Sequence, residues 1–296
     1  MDAAIVYSQR KRAGFTTTRP ERSRCLSQIA RFDRPGPSNK IHPFTERAVA
    51  FLDVLGFSAL VRDAEHQPPK RDELFGIFTV LHSHVKFDNQ AVSGEVPNDV
   101  KPNYIFISDS IIFSAPLLHG KYDGLAIVVA KTIQIAHKLL QVGYLLQGGI
   151  NIGSVWHTPS NIFGTGYIDA WRAQENANHP RIVLTDAARA HWQEKLQPLI
   201  GELCVEDADG KLIVDTLNPY YLGGITQIHG GIEQQFNAYR VRIQQQQNEF
   251  AESTSPRQKW DWAAGFFDRA IGQHGINVAP IRAARRNELT AGGDHA

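Results

Sequence analysis

The chain has 296 residues, and its 42% hydrophobic and 21% charged residues are ordinary values for a globular protein. This composition excludes a wholly disordered chain, a collagen-like fibre and a disulfide scaffold. The two cysteines, Cys25 and Cys204, lie far apart in sequence and match no cysteine-based zinc spacing, which favours a reduced cytosolic compartment. The longest apolar run, residues 124–130, is far shorter than the ~20 residues that span a bilayer, so we expect a soluble, cytoplasmic protein.

The net charge of +1 hides a basic N-terminal stretch. Residues 1–40 contain nine basic and three acidic residues, which leaves the rest of the chain net acidic. Because the stretch has few aliphatic residues and ends in a proline- and glycine-rich sequence, residues 1–44 are predicted to be a poorly ordered extension. A transit peptide and a segment that touches nucleic acid or acidic lipid are alternatives. A solvated tail is favoured, and no direct binding to nucleic acid or membrane is expected.

The first predicted elements follow this extension. Residues 48–55 form an apolar run that Asp53 interrupts and Gly56 closes, which predicts a buried strand. The next segments are predicted as two helices and a loop, over 58–65, 71–87 and 88–103. Residues 104–113 hold two β-rich runs around a Ser-Asp-Ser tip, which predicts a tight hairpin.

The second half of the chain continues this alternation. The pattern predicts a helix, a strand, a polar glycine-containing loop, a helix and a strand, over 123–142, 145–152, 153–166, 167–177 and 181–184. A further hairpin is predicted around Asp209-Gly210. The remainder, 231–273, is Gln-rich and helical, and its predicted packing face consists of Trp260, Trp262, Phe266 and Phe267.

This order of elements predicts a ferredoxin-like α+β fold, with a central mixed or antiparallel sheet and helices on one face. A doubly wound nucleotide fold is the poorer match, because a hairpin interrupts the alternation. We expect three regions: the N-terminal extension over 1–44, a main domain over 45–222, and a C-terminal helical extension and tail over 223–296.

Two aspartates occur where a core pattern should exclude them. Asp53 interrupts the first strand, and Asp109 lies at the hairpin tip. In a ferredoxin-like sheet these strand ends are neighbours, and paired carboxylates are suited to Mg²⁺ or Mn²⁺. Two such ions can activate a hydroxyl and stabilise a triphosphate during displacement. The amides that follow Gly56 could bind phosphate at a helix N-terminus. The alternative is that Asp53 is a structural residue whose carboxylate is hydrogen-bonded locally and has no role in a site.

Four segments resemble the motifs of class III nucleotide cyclases, in the order found in that family. Residues 51–58 (Phe-Leu-Asp-Val-Leu-Gly-Phe-Ser) resemble its first metal motif, and 107–110 (Ile-Ser-Asp-Ser) its Gly-Asp-Ser hairpin. Residues 148–155 are similar to its Gly-Ile-His-x-Gly-x-Val strand, and 163–172 to its Tyr-Gly-x-x-Val-Asn-x-Ala-x-Arg segment. The resemblance covers about residues 45–220 and implies a palm-like nucleotide cyclase homology domain.

The resemblance implies a role for several positions. Asp53 and Asp109 match the metal-binding aspartates, Val54 would add a backbone carbonyl, and Arg172 matches the arginine that stabilises the transition state. Two Mn²⁺ or Mg²⁺ ions per site and a homodimer with sites shared between protomers are implied. The candidate residues for binding a nucleoside triphosphate are Phe51, Gly56, Phe57, Ser58, Ile105 and Asn161.

Three positions depart from the family pattern. The transition-state Asn of the family falls at Ile168, which cannot hydrogen-bond, and Asp169 lies beside it. The adenine-reading Lys and Asp of the family fall at Ile105 and Asn161.

These departures, together with residues 180–183 (Pro-Arg-Ile-Val), resemble the pyrimidine cyclases of bacterial Pycsar anti-phage systems. The resemblance implies a cyclic UMP or cyclic CMP signal and a separate effector that responds to it. An Asn161 amide offers both a donor and an acceptor to a pyrimidine edge, and Phe51 could pack near the base. The amide does not choose between UTP and CTP, and UTP is favoured by analogy alone.

Three other functions compete with a pyrimidine cyclase. An ordinary adenylate or guanylate cyclase would use the same metal aspartates. A catalytically inactive nucleotide-binding module is favoured by Ile168 and Ile105 but opposed by the intact Asp53, Asp109 and Arg172. A polymerase palm would need a basic surface that tracks nucleic acid, whereas the chain beyond residue 40 is net acidic.

Overall fold

The computed structural model describes residues 43–85, 100–219, 231–252 and 254–282. The predicted extension over 1–44 therefore lies outside the described residues except at its last two positions, and most of the predicted 88–103 loop also lies outside them. In the part of the chain that is described, no helix combines the length and the apolar character needed to cross a membrane.

The chain begins with a strand, two helices and a hairpin. These elements are β1 Thr45–Val54, α1 Phe57–His66, α2 Pro68–Val85, β2 Asn103–Ile107 and β3 Ser110–Pro116. A small hairpin that the sequence pattern did not indicate follows, then a long helix and a long strand: β4 Leu118–His119, β5 Tyr122–Asp123, α3 Gly124–Gln141 and β6 Leu146–His157. The Asp123 side chain caps α3 by accepting hydrogen bonds from the backbone amides of Leu125 and Ala126.

The remaining elements complete the sheet and add helices. They are β7 Ile162–Phe163, α4 Thr165–Glu175, β8 Ile182–Leu184, α5 Asp186–His191, α6 Gln197–Ile200, β9 Cys204–Glu206, β10 Leu212–Val214, α7 Ile232–Glu249 and α8 Ser255–Gln273. A π-helical turn at Trp192–Leu196 joins α5 to α6. The sequence analysis made no prediction for the helical segment between β8 and β9.

The predicted α+β, ferredoxin-like sheet is confirmed. The strand order is β2-β3-β1-β6-β8-β10-β9, and β7 pairs with β6 beside this path. In chain order, the first four strands of this sheet are β1, β2, β3 and β6. In space they lie in the order β6, β1, β3, β2, and each pairs antiparallel with its neighbour. The pair β6 and β8 is parallel, so the sheet is mixed.

Helices cover both faces of the sheet, which corrects the expectation of helices on one face. Alternate residues of β1, among them Leu52 and Val54, pack with α1, α2 and α3 in the main core. The intervening residues, Val49 and Phe51, pack on the opposite face against Ala170 of α4. The sequence pattern could not show this because α4 presents few buried residues, and its packing depends on glycines of β6.

The glycines of β6 and α4 also explain why the predicted loop over 153–166 is wrong. Residues 153–166 were predicted as a polar loop, but β6 continues to His157 and returns as β7. A Cβ atom at Gly153 would lie 2.8 Å from the Cα atom of Gly166, so both glycines allow backbones to approach closely. Here glycine marks tight packing of α4 on β6 and not the end of the strand.

The C-terminal helices form a second core with the sheet. Three of the four predicted packing aromatics, Trp260, Phe266 and Phe267, are buried, and Trp262 is partly buried against the same cluster. The cluster includes Leu140 of α3, so these helices are attached to the main domain. The predicted aromatic packing face is therefore confirmed, and Thr254 caps the second of the two helices.

A buried histidine links the two regions. The His137 Nδ1 atom lies 2.9 Å from the Tyr239 hydroxyl, and its Nε2 atom lies 2.9 Å from the Asn218 carbonyl oxygen. Burial lowers the pKa of His137 to about 4, although the Asn218 hydrogen bond opposes that shift. The imidazole is therefore neutral near neutral pH, and it bridges α3 and α7 without a charge to desolvate.

Replacing Gly149 with alanine is expected to destabilise the fold by about 1–3 kcal/mol, because the new methyl group would collide with the Ala170 carbonyl and the Ala173 side chain. The matched control is Gly76→Ala on α2, where a Cβ atom meets nothing within 4 Å. That control should be neutral or more stable by up to about 1 kcal/mol. Urea unfolding of both variants measures the difference, and equal stabilities would contradict close packing of α4 on β6.

Candidate active site

The pairing of β1 with β3 brings Asp53 and Asp109 together. Asp53 lies opposite Ser110 in the antiparallel register. The next residue, Val54, donates its backbone amide to the Asp109 carbonyl oxygen at 3.0 Å. The two aspartates predicted as neighbours are therefore adjacent, and a backbone hydrogen bond fixes the hairpin tip beside the end of β1.

The two carboxylates interact electrostatically. The pKa of Asp53 is raised to about 6, first by burial and then by the negative charge of Asp109. The positive charge of Lys259, on α8, opposes this increase. Two carboxylates of like charge that are partly buried repel each other, and a divalent cation bound between them removes this repulsion.

The turn after Asp53 supplies backbone donors. Gly56 has a φ of 86°, the left-handed region that glycine adopts at low cost, and it begins α1 without a side-chain cap. The first amides of α1, those of Phe57 and Ser58, are therefore available to an anion. The Ser58 hydroxyl lies 3.5 Å from Asp109 Oδ2, which places this turn beside both aspartates.

The two aromatic residues of this motif are packing residues in the structure. The Phe57 ring is 2% exposed and packs edge-on against Phe78, with ring centroids 6.0 Å apart. The Phe51 ring is also buried and lies 6.0 Å from the Tyr167 ring of α4. Within one protomer Phe51 thus has little surface to offer a nucleotide base, in contrast to its expected position beside the base.

The two predicted base-reading residues lie in different places relative to the aspartates. Asn161 is exposed in the turn between β6 and β7, where its backbone amide donates to the Thr158 hydroxyl at 3.0 Å. Asp53 pairs with residue 147 of β6 and Thr45 with residue 155, so Asn161 lies beyond the far end of β1. At ~3.4 Å per residue, the length of β1 from Asp53 to Thr45 is about 27 Å, and Asn161 lies further away than that. Ile105 is buried within β2 and pairs with residue 112 of β3, in the hairpin whose tip carries Asp109.

Arg172 projects from the outer surface of α4. Its guanidinium donates to Asp169 Oδ1 at 3.2 Å, and both side chains are largely exposed. Ile168 and Trp171, on the same helix, are each 40% exposed. Among the described contacts, none joins Arg172 to Asp53 or Asp109. The structure therefore groups the metal candidates with the turn, and it leaves Arg172 and Asn161 on other surfaces.

Two residues near Asp53 were missed by the sequence analysis. Gln147 pairs with Asp53 across β1 and β6, is buried, and donates its side-chain amide to the Gln174 carbonyl at 3.0 Å. Gln147 is a polar residue within the apolar run before Gly148, and this departure from the pattern could have indicated its position in the site. Lys259 had no such signal, since no sequence pattern relates α8 to β1.

The donor set fits a magnesium or manganese site that substrate completes. Asp53, Asp109 and the Val54 carbonyl offer oxygen ligands, which Mg²⁺ and Mn²⁺ prefer. Among the residues described, no group of three or more histidine, cysteine or carboxylate side chains is arranged to hold a metal. Mg²⁺ commonly binds through one or two carboxylates together with substrate phosphates and water, so two carboxylates suffice.

The chain is similar to several solved structures of nucleotide cyclases. It is 15% identical to an adenylate/guanylate cyclase/hydrolase from Silicibacter pomeroyi, with a TM-score of 0.35 over 58% of this chain and 95% of that one. It is 9% identical to the adenylyl cyclase CyaB of P. aeruginosa, with a TM-score of 0.33 over 58% and 92%.

A third similar structure is the guanylate cyclase domain of RhGC from Catenaria anguillulae in complex with GTP. The identity is 13% and the TM-score 0.33, over 57% of this chain and 93% of that one. No protein-family model and no curated protein matches the sequence. The function proposed below rests on the geometry of the site and not on these likenesses.

The variant Asp53→Asn is expected to be more stable than the wild type near pH 7.5 in a chelating buffer. The folded protein holds the Asp53 proton up to about pH 6, against an ordinary pKa of 3.8, so ionisation costs the folded state stability. The cost is absent below about pH 4, develops between pH 4 and 6, and is complete above pH 6. Because the group is partly exposed and screened, we expect a gain of roughly 1–2 kcal/mol.

Chemical unfolding of both proteins at pH 7.5 and at about pH 4 measures this difference in stability. The control Asp72→Asn, at an exposed carboxylate of α2, should change little at either pH. Adding Mn²⁺ should stabilise the wild type and not Asp53→Asn. An Asp53→Asn protein that is less stable at pH 7.5 would show that the carboxylate has a structural partner.

Proposed function

We propose that the protein is a nucleotide cyclase that converts UTP to 3′,5′-cyclic UMP and pyrophosphate. The observation that carries the proposal is the convergence of Asp53, Asp109 and the uncapped amides of α1 at one end of the sheet. This set offers oxygen ligands for cations and donors for phosphate in one place.

The reaction forms a bond between the 3′ oxygen and the α-phosphorus and breaks the bond to the pyrophosphate. The proton of the 3′ hydroxyl leaves to solvent, and the bond electrons depart with pyrophosphate. Asp53, Asp109 and the Val54 carbonyl would hold two Mn²⁺ or Mg²⁺ ions, and these ions would make the hydroxyl more acidic and neutralise phosphate charge. The amides of Phe57 and Ser58 bind the polyphosphate and orient it for displacement.

A homodimer would complete the site. Arg172 is exposed on α4, and Asn161 lies more than about 27 Å from Asp53 along the sheet. Neither contacts the aspartates of its own protomer in the described contacts, whereas a two-fold pairing can bring them to the partner's site. Exposed Ile168 and Trp171 on α4 offer apolar surface for such an interface.

The residues of α4 also define how the transition state is stabilised. Ile168 supplies no hydrogen bond, and an ionised Asp169 accepts hydrogen bonds only. Asp169 instead orients Arg172 through their 3.2 Å contact. The charge that develops on the phosphorus oxygens is therefore stabilised by the Arg172 guanidinium, which donates two parallel hydrogen bonds.

The preference for a pyrimidine rests on two positions. Ile105 presents no hydrogen bond where an adenine-specific site needs one, and Asn161 presents an amide that can match a pyrimidine edge. CTP is the first alternative, because the amide can rotate to match either base. The product would act as a cytoplasmic second messenger of Pycsar-type antiviral defence and be detected by a separate effector. An adenylate or guanylate cyclase and an inactive nucleotide-binding module remain the other candidates.

Turnover of the four nucleoside triphosphates with Mn²⁺ tests the substrate. We expect kcat/KM for UTP to exceed that for ATP and GTP by about ten- to a hundredfold. Each buried polar group of a purine left unpaired costs roughly 1–3 kcal/mol. Equal values for a purine would contradict the pocket assignment, and faster turnover of CTP would change only the choice of pyrimidine.

Mixing inactive variants tests the shared site. Asp53→Ala and Arg172→Ala should each be inactive alone, but a fully exchanged equal mixture should regain about a quarter of wild-type activity. Half of its dimers are mixed, and each of these has one intact site of two. The matched control is Asp53→Ala with Asp109→Ala, which leaves no intact site and should recover nothing. Failure of the first mixture despite demonstrated subunit exchange would contradict the shared site.

A further inference from the structure

A cavity of about 330 Å³ lies between the turn after β1 and the C-terminal helices. The turn contributes Leu55 and Gly56, α2 contributes Lys70 and Glu73, and the C-terminal helices contribute Arg242 and Lys259 among others. The cavity therefore adjoins the turn whose amides face the metal aspartates, and the chain region that closes it lies outside the segments that resemble a cyclase.

Some of the charged side chains that line this cavity have a partner of opposite charge, and one has none in the described part of the chain. Lys70 forms a 2.8 Å ion pair with Glu73, and the charge of Arg242 also acts on Glu73. Asp63 and Glu249 are further acidic lining residues. Lys259 is partly buried and, within the residues that the structure describes, forms no hydrogen bond or ion pair. It is a cation whose neighbours leave its three donors unused.

Lys259 shares this cavity with the turn that follows Asp53. It lines the cavity together with Gly56, directly before the uncapped amides of Phe57 and Ser58. Its positive charge also acts on Asp53. The cavity therefore brings an unpaired ammonium group to the turn that carries the first backbone donors of α1.

The helix that carries Lys259 is held in place on either side of it. Arg257 donates to Asp261 Oδ1 at 3.0 Å and to the Gln247 carbonyl of α7 at 2.6 Å. Gln247 in turn donates to Asp261 Oδ1 at 2.6 Å, and Trp260 is buried. The backbone at Lys259 is thus fixed, which limits the region that its flexible side chain can reach.

We infer that Lys259 binds the β- and γ-phosphates of the substrate, and the pyrophosphate that leaves, which makes the C-terminal helices part of the active site. A lysine ammonium is a compact charge suited to phosphate, and it gains most where charge develops on a leaving group. The inference rests on the proposed function, because it assigns the polyphosphate subsite of that reaction. A counter-ion that only neutralises Asp53 is the competing role.

Calorimetry with Mn²⁺ and three probes separates these roles without turnover. The probes are pyrophosphate, cyclic UMP and 3′-deoxy-UTP, which keeps the triphosphate but lacks the attacking hydroxyl. We expect Lys259→Met to weaken binding of 3′-deoxy-UTP and pyrophosphate at least about tenfold, because it removes a charged hydrogen bond. Cyclic UMP, which lacks the β- and γ-phosphates, should bind unchanged. Lys259→Arg should retain most of the affinity for pyrophosphate. The control Lys70→Met removes a lysine of the same cavity that is already paired with Glu73, and it should change none of the three affinities.

The outcomes are distinguishable. Unchanged pyrophosphate binding by Lys259→Met, an equal loss for cyclic UMP, or the same loss in Lys70→Met would each overturn the inference. Orthophosphate binding that matches that of pyrophosphate would show a general anion site and also overturn it. Pyrophosphate binding that depends on Lys259, in a protein that cyclises no nucleotide, would retain the subsite and reject the cyclase. Turnover that does not depend on Lys259 would do the reverse.

Discussion

The antiparallel register of β1 and β3 holds Asp53 opposite Ser110 and so beside Asp109, and two negative charges this close cost free energy until a cation joins them. Both faces of β1 are buried, and a slip of one residue would exchange the side chains that pack with α1, α2 and α3 for those that pack against α4, so packing on both faces fixes the register. The hydrogen bond from the Val54 amide to the Asp109 carbonyl locks the last step of the ladder. The folding of the core thus produces an electrostatic strain that a bound cation would relieve.

The two faces of the sheet have different roles as a result. One face is filled by α1, α2 and α3, and the chain order of the strands puts the β1 turn and the hairpin tip at one end of the sheet. The other face carries α4, packed closely through Gly149 and Gly153. Because α4 buries its small residues against β6, its larger residues, including Trp171 and Arg172, are directed outward. In the proposed reaction, the aspartates of one protomer would be completed by Arg172 of a second copy.

The sequence predicted what depends on local pattern. The interrupted strand at Asp53, the hairpin around Asp109 and the aromatic face of the C-terminal helices all follow from periodicity and turn residues. Glycines were ambiguous, because the same residue ends a strand in one context and permits close packing in another, as at Gly153. The approach of Lys259 to Asp53 could not be predicted, since it depends on how two elements 206 positions apart in the sequence dock.

That docking connects the stability of the C-terminal helices to the chemistry of the site. Neutral His137 joins α3 to Tyr239 of α7, and α7 holds α8 through Gln247 and Arg257. Each link is a hydrogen bond between buried or partly buried groups, whose loss leaves an unpaired polar atom costing roughly 1–3 kcal/mol. A change at any link would shift α8 relative to the sheet, and with it the ammonium group whose charge acts on Asp53. The helices that follow residue 222 are therefore better described as a support that helps to set the electrostatic field at Asp53 than as an independent appendage.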